Sequence, residues 1–168
     1  PDKLRRVIRE MADQEKPLRG VDPTKGGPYI QVAALCEKVL QEGDGVLSLI
    51  RIVDTINQEV QVKGAPSAEA FKVVPPLVCP LTLVLALKAG EAKGSHQVKI
   101  IPVLPTGETK APFVRTLHFE GEEKGANLIL NLVFEFPYEG LYWFEVYLNE
   151  DLLTRLPLRV RRSISVLP

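Results

Sequence analysis

The clearest alternation of apolar and polar residues lies near the end of the chain, between Gly140 and Val160. A two-residue period of this kind is typical of β-strands with one buried face. The segment therefore predicts a β-hairpin whose inner residues face a core. These inner residues are Tyr142, Phe144, Val146, Leu148, Leu152, Thr154, Leu156, Leu158 and Val160.

The loop between the two strands decides which residues lie opposite each other. A three-residue loop over 149–151 keeps the inner residues together, whereas a two-residue loop would shift the pairing by one residue and mix the faces. The longer loop also places Glu145 opposite Arg155, and such a pair stabilises a sheet by about 0.2–1 kcal/mol. The predicted pairs are Leu148–Leu152, Val146–Thr154, Phe144–Leu156 and Tyr142–Leu158 inside, and Tyr147–Leu153, Glu145–Arg155 and Trp143–Pro157 outside.

Two residues of this hairpin carry further expectations about the backbone. The last residue of a three-residue loop usually adopts the left-handed conformation, which Asp151 tolerates better than most side chains. Pro157 has no N–H group, so its strand is expected at a sheet edge, or Pro157 at a position that needs no ladder hydrogen bond.

The preceding segments also read as strands separated by turns. Residues 29–36 and 46–56 are rich in β-branched side chains and flank Gly43-Asp44-Gly45, which predicts a hairpin, whereas 58–76 reads as a long connection with a short strand at 71–74. Turn residues recur every 8–15 positions, which favours two packed antiparallel sheets over alternating βαβ units. The further predicted strands are 81–88, 98–104, 113–119 and 128–136, giving about eight strands in all.

The start of the chain has a different pattern. Leu4, Val7, Ile8 and Met11 follow the i, i+3, i+4, i+7 spacing of an amphipathic helix over residues 1–15. Residues 16–28 contain several prolines and glycines, which predicts a linker. We therefore expect an N-terminal helix, a linker, one β domain over 29–162, and a tail over 163–168.

Composition narrows the possible functions. The 168 residues suit one domain, and 21 basic residues balance 21 acidic ones. Nucleic-acid-binding proteins normally show a basic excess, so we expect no nucleic-acid partner. The longest apolar run, 77–87, is shorter than the roughly 18–20 residues of a membrane span.

Cys36 and Cys79 both lie in or beside apolar segments. Two buried free thiols in a reducing compartment are the favoured interpretation, which indicates a cytoplasmic protein. A single structural disulfide is the alternative. Immunoglobulin domains pack a tryptophan on their disulfide, whereas Trp143 follows both cysteines here. Since the first residue is Pro1 rather than Met, the sequence leaves open whether a signal peptide has been removed.

Four segments together resemble a bacterial family of β-sandwich proteins of unknown function. They are AALCEKVLQEGDGVLSLIRIVDTI, PLTLVLALKAGEAKGSHQVKI, GANLILNL and GLYWFEVYLNEDLLTRLPLRV. The resemblance covers about residues 29–162 and excludes the predicted helix and linker. It implies an immunoglobulin-like or related β-sandwich. It implies no activity, so no catalytic residues are carried over.

The residues suggest neither catalysis nor a cofactor. No GxSxG motif is present, and the cysteines and histidines lack the paired spacing of a zinc site. His96 follows a turn and His118 lies within a strand, where exposed histidines are common. Asp44 is better explained by turn chemistry than by calcium binding. We therefore expect no catalytic, metal-binding or cofactor-binding residues, with a shallow enzyme site around His118 and the acidic 120–123 turn as the remote alternative.

The best functional indication is an apolar outer face on the final hairpin, formed by Trp143, Tyr147, Leu153 and Pro157. Large exposed apolar patches usually mark interfaces. The N-terminal helix could instead cover this face through Leu4, Val7, Ile8 and Met11, or bind the same face of a second copy. We expect a non-enzymatic module that binds a protein partner or itself. The alternative is a ligand-binding β-sandwich with Trp143 and Tyr147 as a stacking surface for carbohydrate or lipid.

Overall fold

The computed structural model describes residues 26–63 and 75–167, and it contains only β-strands in these ranges. The prediction of an all-β fold is confirmed. The predicted N-terminal helix and the short strand at 71–74 lie outside the described residues. The nine strands are β1 (Tyr29–Gln41), β2 (Leu47–Ile52), β3 (Thr55–Lys63), β4 (Leu77–Gly90), β5 (Gly94–Val103), β6 (Phe113–Phe119), β7 (Glu122–Phe136), β8 (Gly140–Leu148) and β9 (Asp151–Leu167).

The strands form two sheets. One has four strands in the order β2-β1-β4-β7, and the other has five in the order β3-β9-β8-β5-β6. Neighbouring strands are antiparallel except for β3 and β9, which run parallel. We call these the four-stranded and the five-stranded sheet. Among the described residues there is no helix long and apolar enough to cross a membrane.

One core joins the inner faces of both sheets. Alternate side chains of a strand point to opposite faces, and the inner set is buried on every long central strand. Leu83 and Leu85 from the four-stranded sheet belong to the same buried cluster as Phe144 and Val146 from the five-stranded sheet. Burial of apolar surface on both inner faces is therefore the main force that holds the two sheets together.

The final hairpin has most of the predicted register. The pairs Tyr142–Leu158, Phe144–Leu156, Val146–Thr154, Trp143–Pro157 and Glu145–Arg155 are all confirmed. The loop is different, because Leu148 pairs with Asp151 and Tyr147 pairs with Leu152.

The predicted three-residue loop is therefore wrong at its tip. The connection is a two-residue turn over 149–150, and a β-bulge beyond it inserts one extra residue into β9 and restores the inner register. Asn149, and not Asp151, takes the left-handed conformation, with φ of 53°. Asparagine tolerates that conformation because its short polar side chain bonds locally, and here its Oδ1 accepts a hydrogen bond from the Gln97 N–H (3.1 Å).

Pro157 lies in a strand that is an edge along only part of its length. β3 pairs with β9 from Arg159 onward, so β8 is the only described strand that lies beside the first half of β9. Pro157 is in that half, where one side of the strand needs no hydrogen bond. This agrees with the expectation that Pro157 lies at a position that needs no ladder hydrogen bond.

Two predicted boundaries are corrected. The segment 46–56 is not one strand, because it breaks at Val53-Asp54 and its continuation, β3, joins the other sheet and runs to Lys63. The predicted connection therefore begins later than residue 58. Residues 163–167, predicted as a tail, continue β9 and pair with β3. In both cases the polar strand β3 lacked the apolar alternation by which the other strands were found.

The two cysteines are free. Cys36 is opposite Thr82 and shares the outer face of the four-stranded sheet, where its Sγ lies 3.6 Å from the Thr82 carbonyl oxygen. Cys79 is opposite Phe134 and packs against the core from the inner face. Side chains on opposite faces of one sheet cannot form a disulfide. The prediction of two free thiols is therefore confirmed, but only Cys36 is fully buried as expected, and Cys79 is half-buried.

The corner between β7 and β8 connects the two sheets. Tyr142 is fully buried, and its hydroxyl donates a hydrogen bond to the Tyr138 carbonyl oxygen (2.7 Å) and accepts one from the Tyr138 N–H (3.0 Å). One side chain thus satisfies both backbone groups at a turn. Burial raises the pKa of the Tyr142 phenol, so the hydroxyl remains a donor well into the alkaline range.

We predict that Tyr142→Phe lowers the free energy of unfolding by about 1–3 kcal/mol, because it leaves a partly buried N–H and carbonyl without their partner. Urea unfolding measures the change. Tyr147→Phe is the matched control, since its hydroxyl bonds only a side-chain carboxylate at the surface. Equal losses in the two variants would contradict the role assigned to Tyr142.

We predict that both thiols of the folded protein react slowly with a disulfide reagent at pH 8. Burial raises the pKa of Cys36 and of Cys79, and the thiolate is the reactive form. A hydrogen bond from the Lys38 backbone offsets part of the effect at Cys36. The reaction should accelerate as pH rises above the ordinary thiol pKa, and urea should release two rapid thiols at any of these pH values. One or no reactive thiol in urea would contradict the free state of the pair.

Candidate functional site

The predicted surface lies on the outer face of the five-stranded sheet. In β8 the even-numbered side chains enter the core, so Trp143 and Tyr147 point away from it and remain half-buried. Pro157 is exposed and lies opposite Trp143 on β9. The structure therefore brings three of the four predicted hairpin residues to one face.

Leu153 is the exception. The β-bulge places Leu152 opposite Tyr147, and Leu153 is half-buried and packs against the core. The predicted pair of Tyr147 with Leu153 is wrong for this reason. Leu152 takes its position on the outer face and is 44% exposed.

An apolar row crosses three strands of this face. Val103 of β5 pairs with Trp143 of β8, which pairs with Pro157 of β9. Leu141 is the next outer-face residue to Trp143 on β8, and Ile101 is the next one to Val103 on β5. Both are half-buried. We call these five residues, Ile101, Val103, Leu141, Trp143 and Pro157, the Trp143 face. Sequence reasoning missed Ile101 and Val103, because alternation within one strand does not reveal which strand lies beside it.

A polar group borders the Trp143 face on the side of the hairpin turn. Arg155 and Glu145 form the predicted cross-strand ion pair, with Nη2 to Oε1 at 3.0 Å. The Tyr147 hydroxyl donates to Glu145 Oε2 at 2.9 Å, and this bond to the carboxylate, followed by burial, raises the pKa of Tyr147. Lys99 Nζ lies 5.7 Å from the centre of the Tyr147 ring, within the range of a cation–π contact.

Two cations border the Trp143 face on the other side. Arg159 and Arg161 are both exposed, and alternation along β9 places them on the same outer face as Pro157. Arg159 is opposite Leu141 of β8 and Thr55 of β3. Neither arginine forms an ion pair with another residue in the described part of the chain. Their charges are therefore available to an approaching molecule.

The predicted helix residues Leu4, Val7, Ile8 and Met11 lie outside the described residues. Their proposed cover over the Trp143 face stays a prediction. The described chain starts at Gly26, whose N–H bonds Glu91 Oε2 (2.8 Å) and whose carbonyl oxygen accepts from the Glu91 N–H (2.8 Å). Gly26, the first described residue, thus lies at the turn between β4 and β5.

Of the two histidines, His118 is exposed and His96 is half-buried. Ser95 Oγ lies 3.4 Å from His118 Nδ1 on neighbouring strands, and both side chains are exposed. Glu120, the nearest acid along the chain, pairs instead with Lys124. His96 contacts the Lys93 carbonyl oxygen (3.1 Å) and Asn149 (3.2 Å), which ties two turns together. In the described ranges no three residues of the His, Cys, Asp and Glu types are grouped so that they could hold a metal ion.

A groove of about 380 Å³ opens on the four-stranded sheet where β1 and β4 diverge beyond the pair Cys36–Thr82. The Thr82 hydroxyl on its wall already donates to Asn131 Oδ1 at 3.0 Å. That hydroxyl is therefore already engaged within the sheet. The lining residues are Glu37, Lys38, Val39, Pro80, Leu81, Thr82, Asn131, Leu132 and Val133.

Comparison with known proteins assigns the described β domain to a family. The chain belongs to DUF6941, a family of unknown function, which matches residues 31–161. The match begins within β1 and ends within β9, so every strand lies wholly or partly inside the matched range. The expectation of a family of unknown function over nearly the same range is confirmed. No curated protein matches this member of DUF6941.

We predict that Glu145→Gln lowers the pKa of Tyr147 toward its ordinary value, because the carboxylate that holds the phenolic proton is removed. NMR titration of tyrosines labelled at Cζ resolves the four rings of the chain. Glu139→Gln, an exposed residue of the turn before β8, is the matched control and should leave Tyr147 unchanged. A Tyr147 titration that is the same in both variants would contradict the hydrogen bond.

Proposed function

We propose that this DUF6941 protein is a non-enzymatic interaction module that binds a protein surface, of a partner or of another copy, through its Trp143 face. The observation that carries the proposal is the row Val103–Trp143–Pro157, which is apolar across three strands and in direct register. Tryptophan is among the residues that contribute most to binding when a partner covers them. An apolar row of this width on the outer face of a sheet is typical of an interface.

The borders of the face favour a partner of a particular kind. Arg159 and Arg161 place two positive charges beside the row, and neither has an ion-pair partner among the described residues, whereas Glu145 is already neutralised by Arg155. Complementary charges at the rim of an interface increase specificity and association rate. We therefore propose a protein surface with an apolar centre and aspartate or glutamate on one side.

The alternative of a stacking surface for carbohydrate or lipid has less support. Lys99 lies over the ring of Tyr147, and the Tyr147 hydroxyl is bonded to Glu145. That aromatic ring is therefore engaged within the protein. Trp143 would be left as a single stacking residue, whereas two aromatic rings were expected.

We also propose that the fold is an immunoglobulin-like β-sandwich. Two features support this. An early strand, β3, pairs parallel with the last strand, β9, which is followed in the sheet by β8 and β5. Immunoglobulin-like folds add an early strand to their last strand in a similar way. The Tyr142 hydroxyl bonds the backbone four residues upstream, as in the tyrosine corner of these domains.

We also propose a cytoplasmic location, which the free thiols of Cys36 and Cys79 support.

We predict that the double substitution Trp143→Ala and Tyr147→Ala weakens binding at least tenfold, since loss of a central aromatic residue from an interface costs about 2 kcal/mol or more. Quantitative affinity capture from the cells of origin, together with light scattering, compares the variant with the natural chain. Reversal of charge at Arg159 and Arg161 to glutamate should remove the same bound protein, because it places like charges at the rim.

The matched control is Val114→Ala with Thr116→Ala, which changes exposed side chains on β6 of the same sheet. It should leave binding unchanged. Urea unfolding checks that each variant is folded. If a folded Trp143/Tyr147 variant showed the same captured proteins and the same assembly by light scattering, the proposed interface would be wrong.

A further inference from the structure

The outermost strand of the four-stranded sheet has one long unpaired edge. β7 hydrogen-bonds β4 along one side, with pairs that run from Leu77–Phe136 to Gly90–Glu122. In the described part of the chain no strand lies along its other side. That side therefore carries a row of backbone N–H and C=O groups without strand partners. Exposed edges of this kind readily pair with another chain.

β7 also lacks the features that usually protect an edge strand. Between Gly125 and Phe136 it contains no lysine, arginine or proline, and its register to β4 is regular. The opposite edge of the same sheet, β2, is only six residues long and has Arg51 in the left-handed conformation with φ of 53°. The edge of β7 is therefore the one suited to pairing.

The outer face of β7 supports the same conclusion. Val133 is 77% exposed, the most exposed large apolar residue in the described ranges. Ile129, on the same face, is half-buried. A strand placed beside β7 would cover Val133 without disturbing the core, which the even-numbered residues of β7 already fill.

We propose that β7 pairs antiparallel with β7 of a second copy of this chain about a two-fold axis at Asn131. The two four-stranded sheets then form one continuous eight-stranded sheet, with the order β2-β1-β4-β7 repeated in reverse in the second copy. The contact uses the same surface on both copies and closes on itself, as a two-fold interface does. It is separate from the Trp143 face, which lies on the other sheet.

The centre at Asn131 follows from side-chain complementarity. On the outer face it places Ile129 opposite Val133 twice, and Asn131 opposite Asn131. It also places Asn127 opposite Glu135 twice, where an amide can donate to a carboxylate. Opposed apolar pairs and amide pairs stabilise adjacent strands, whereas opposed like charges destabilise them.

Other centres fit less well. A centre at residue 130 places Ile129 opposite Asn131 and Val133 opposite Asn127, which sets apolar side chains against amides. A centre at 129 places Glu123 opposite Glu135, and a centre at 133 places Pro137, which has no N–H, opposite Ile129. The self-complementarity at Asn131 is the reason that the partner is a second copy rather than an unrelated strand.

The first test measures the dimer. Sedimentation equilibrium at about 0.1 mM detects a dimer with a dissociation constant of ~10 µM or tighter. Val133→Lys should weaken the dimer at least about tenfold, because both symmetric pairs change at once and each gains a charge. Ile52→Lys is the matched control, since Ile52 is 68% exposed on β2, at the opposite edge of the same sheet. This control should remain dimeric.

The second test measures the register and does not depend on stability. Asn131→Cys should form a disulfide between two copies under mild oxidation. Asn127→Cys should not, because residue 127 of one copy lies eight positions, or about 27 Å, from residue 127 of the other in this register. The natural chain, with Cys36 and Cys79 only, should stay uncrosslinked.

A natural chain that sediments as a monomer, a Val133→Lys variant that dimerises as before, or crosslinking at position 127 but not 131 would each overturn the proposal. The two proposals can fail separately. A Trp143→Ala, Tyr147→Ala variant that keeps the dimer but loses its partner supports both, whereas one that loses the dimer places the contact between copies on the Trp143 face and overturns the pairing at β7.

Discussion

The contact between Phe134, Phe136, Tyr142 and Phe144 is the interaction on which the rest of the structure depends. Phe134 and Phe136 lie at the end of β7 in one sheet, and Tyr142 and Phe144 lie near the start of β8 in the other. The centres of neighbouring rings are 4.8–6.4 Å apart. Such tilted and edge-on ring pairs add to the free energy gained from burial. The Tyr142 hydroxyl then fixes the backbone of the connecting turn. The chain is thereby held at the turn between β7 and β8, where it passes from the four-stranded to the five-stranded sheet.

This corner also determines what the outer surface presents. Once Tyr142 and Phe144 face inward, the two-residue period directs Trp143 and Glu145 outward. β5 and β9 then add Val103 and Pro157 on either side of Trp143. The apolar face is thus a consequence of the same register that fills the core. It need not contribute to stability, which is consistent with a role in binding.

The two proposed contacts rely on different chemistry. The Trp143 face offers side chains from the middle of the five-stranded sheet, with cations at its border. The edge of β7 offers backbone hydrogen bonds, and its side chains only select the register around Asn131. Because the two surfaces lie on different sheets, a dimer joined at β7 would present two Trp143 faces. Such an arrangement would allow two weak contacts to act together on a partner with repeated sites.

The sequence by itself determined the all-β class, the long strands and most pairs of the final hairpin, because burial of one face imposes alternation that is visible in each strand. It also predicted that Trp143, Tyr147 and Pro157 lie on the outer face of this hairpin. Only the tertiary structure decided that β3 joins β9, that a bulge exchanges Leu153 for Leu152, and that Val103 lies beside Trp143. These features depend on which strands become neighbours. Pairing between distant segments is set by how the two sheets share one core, and alternation within a segment carries no information about it.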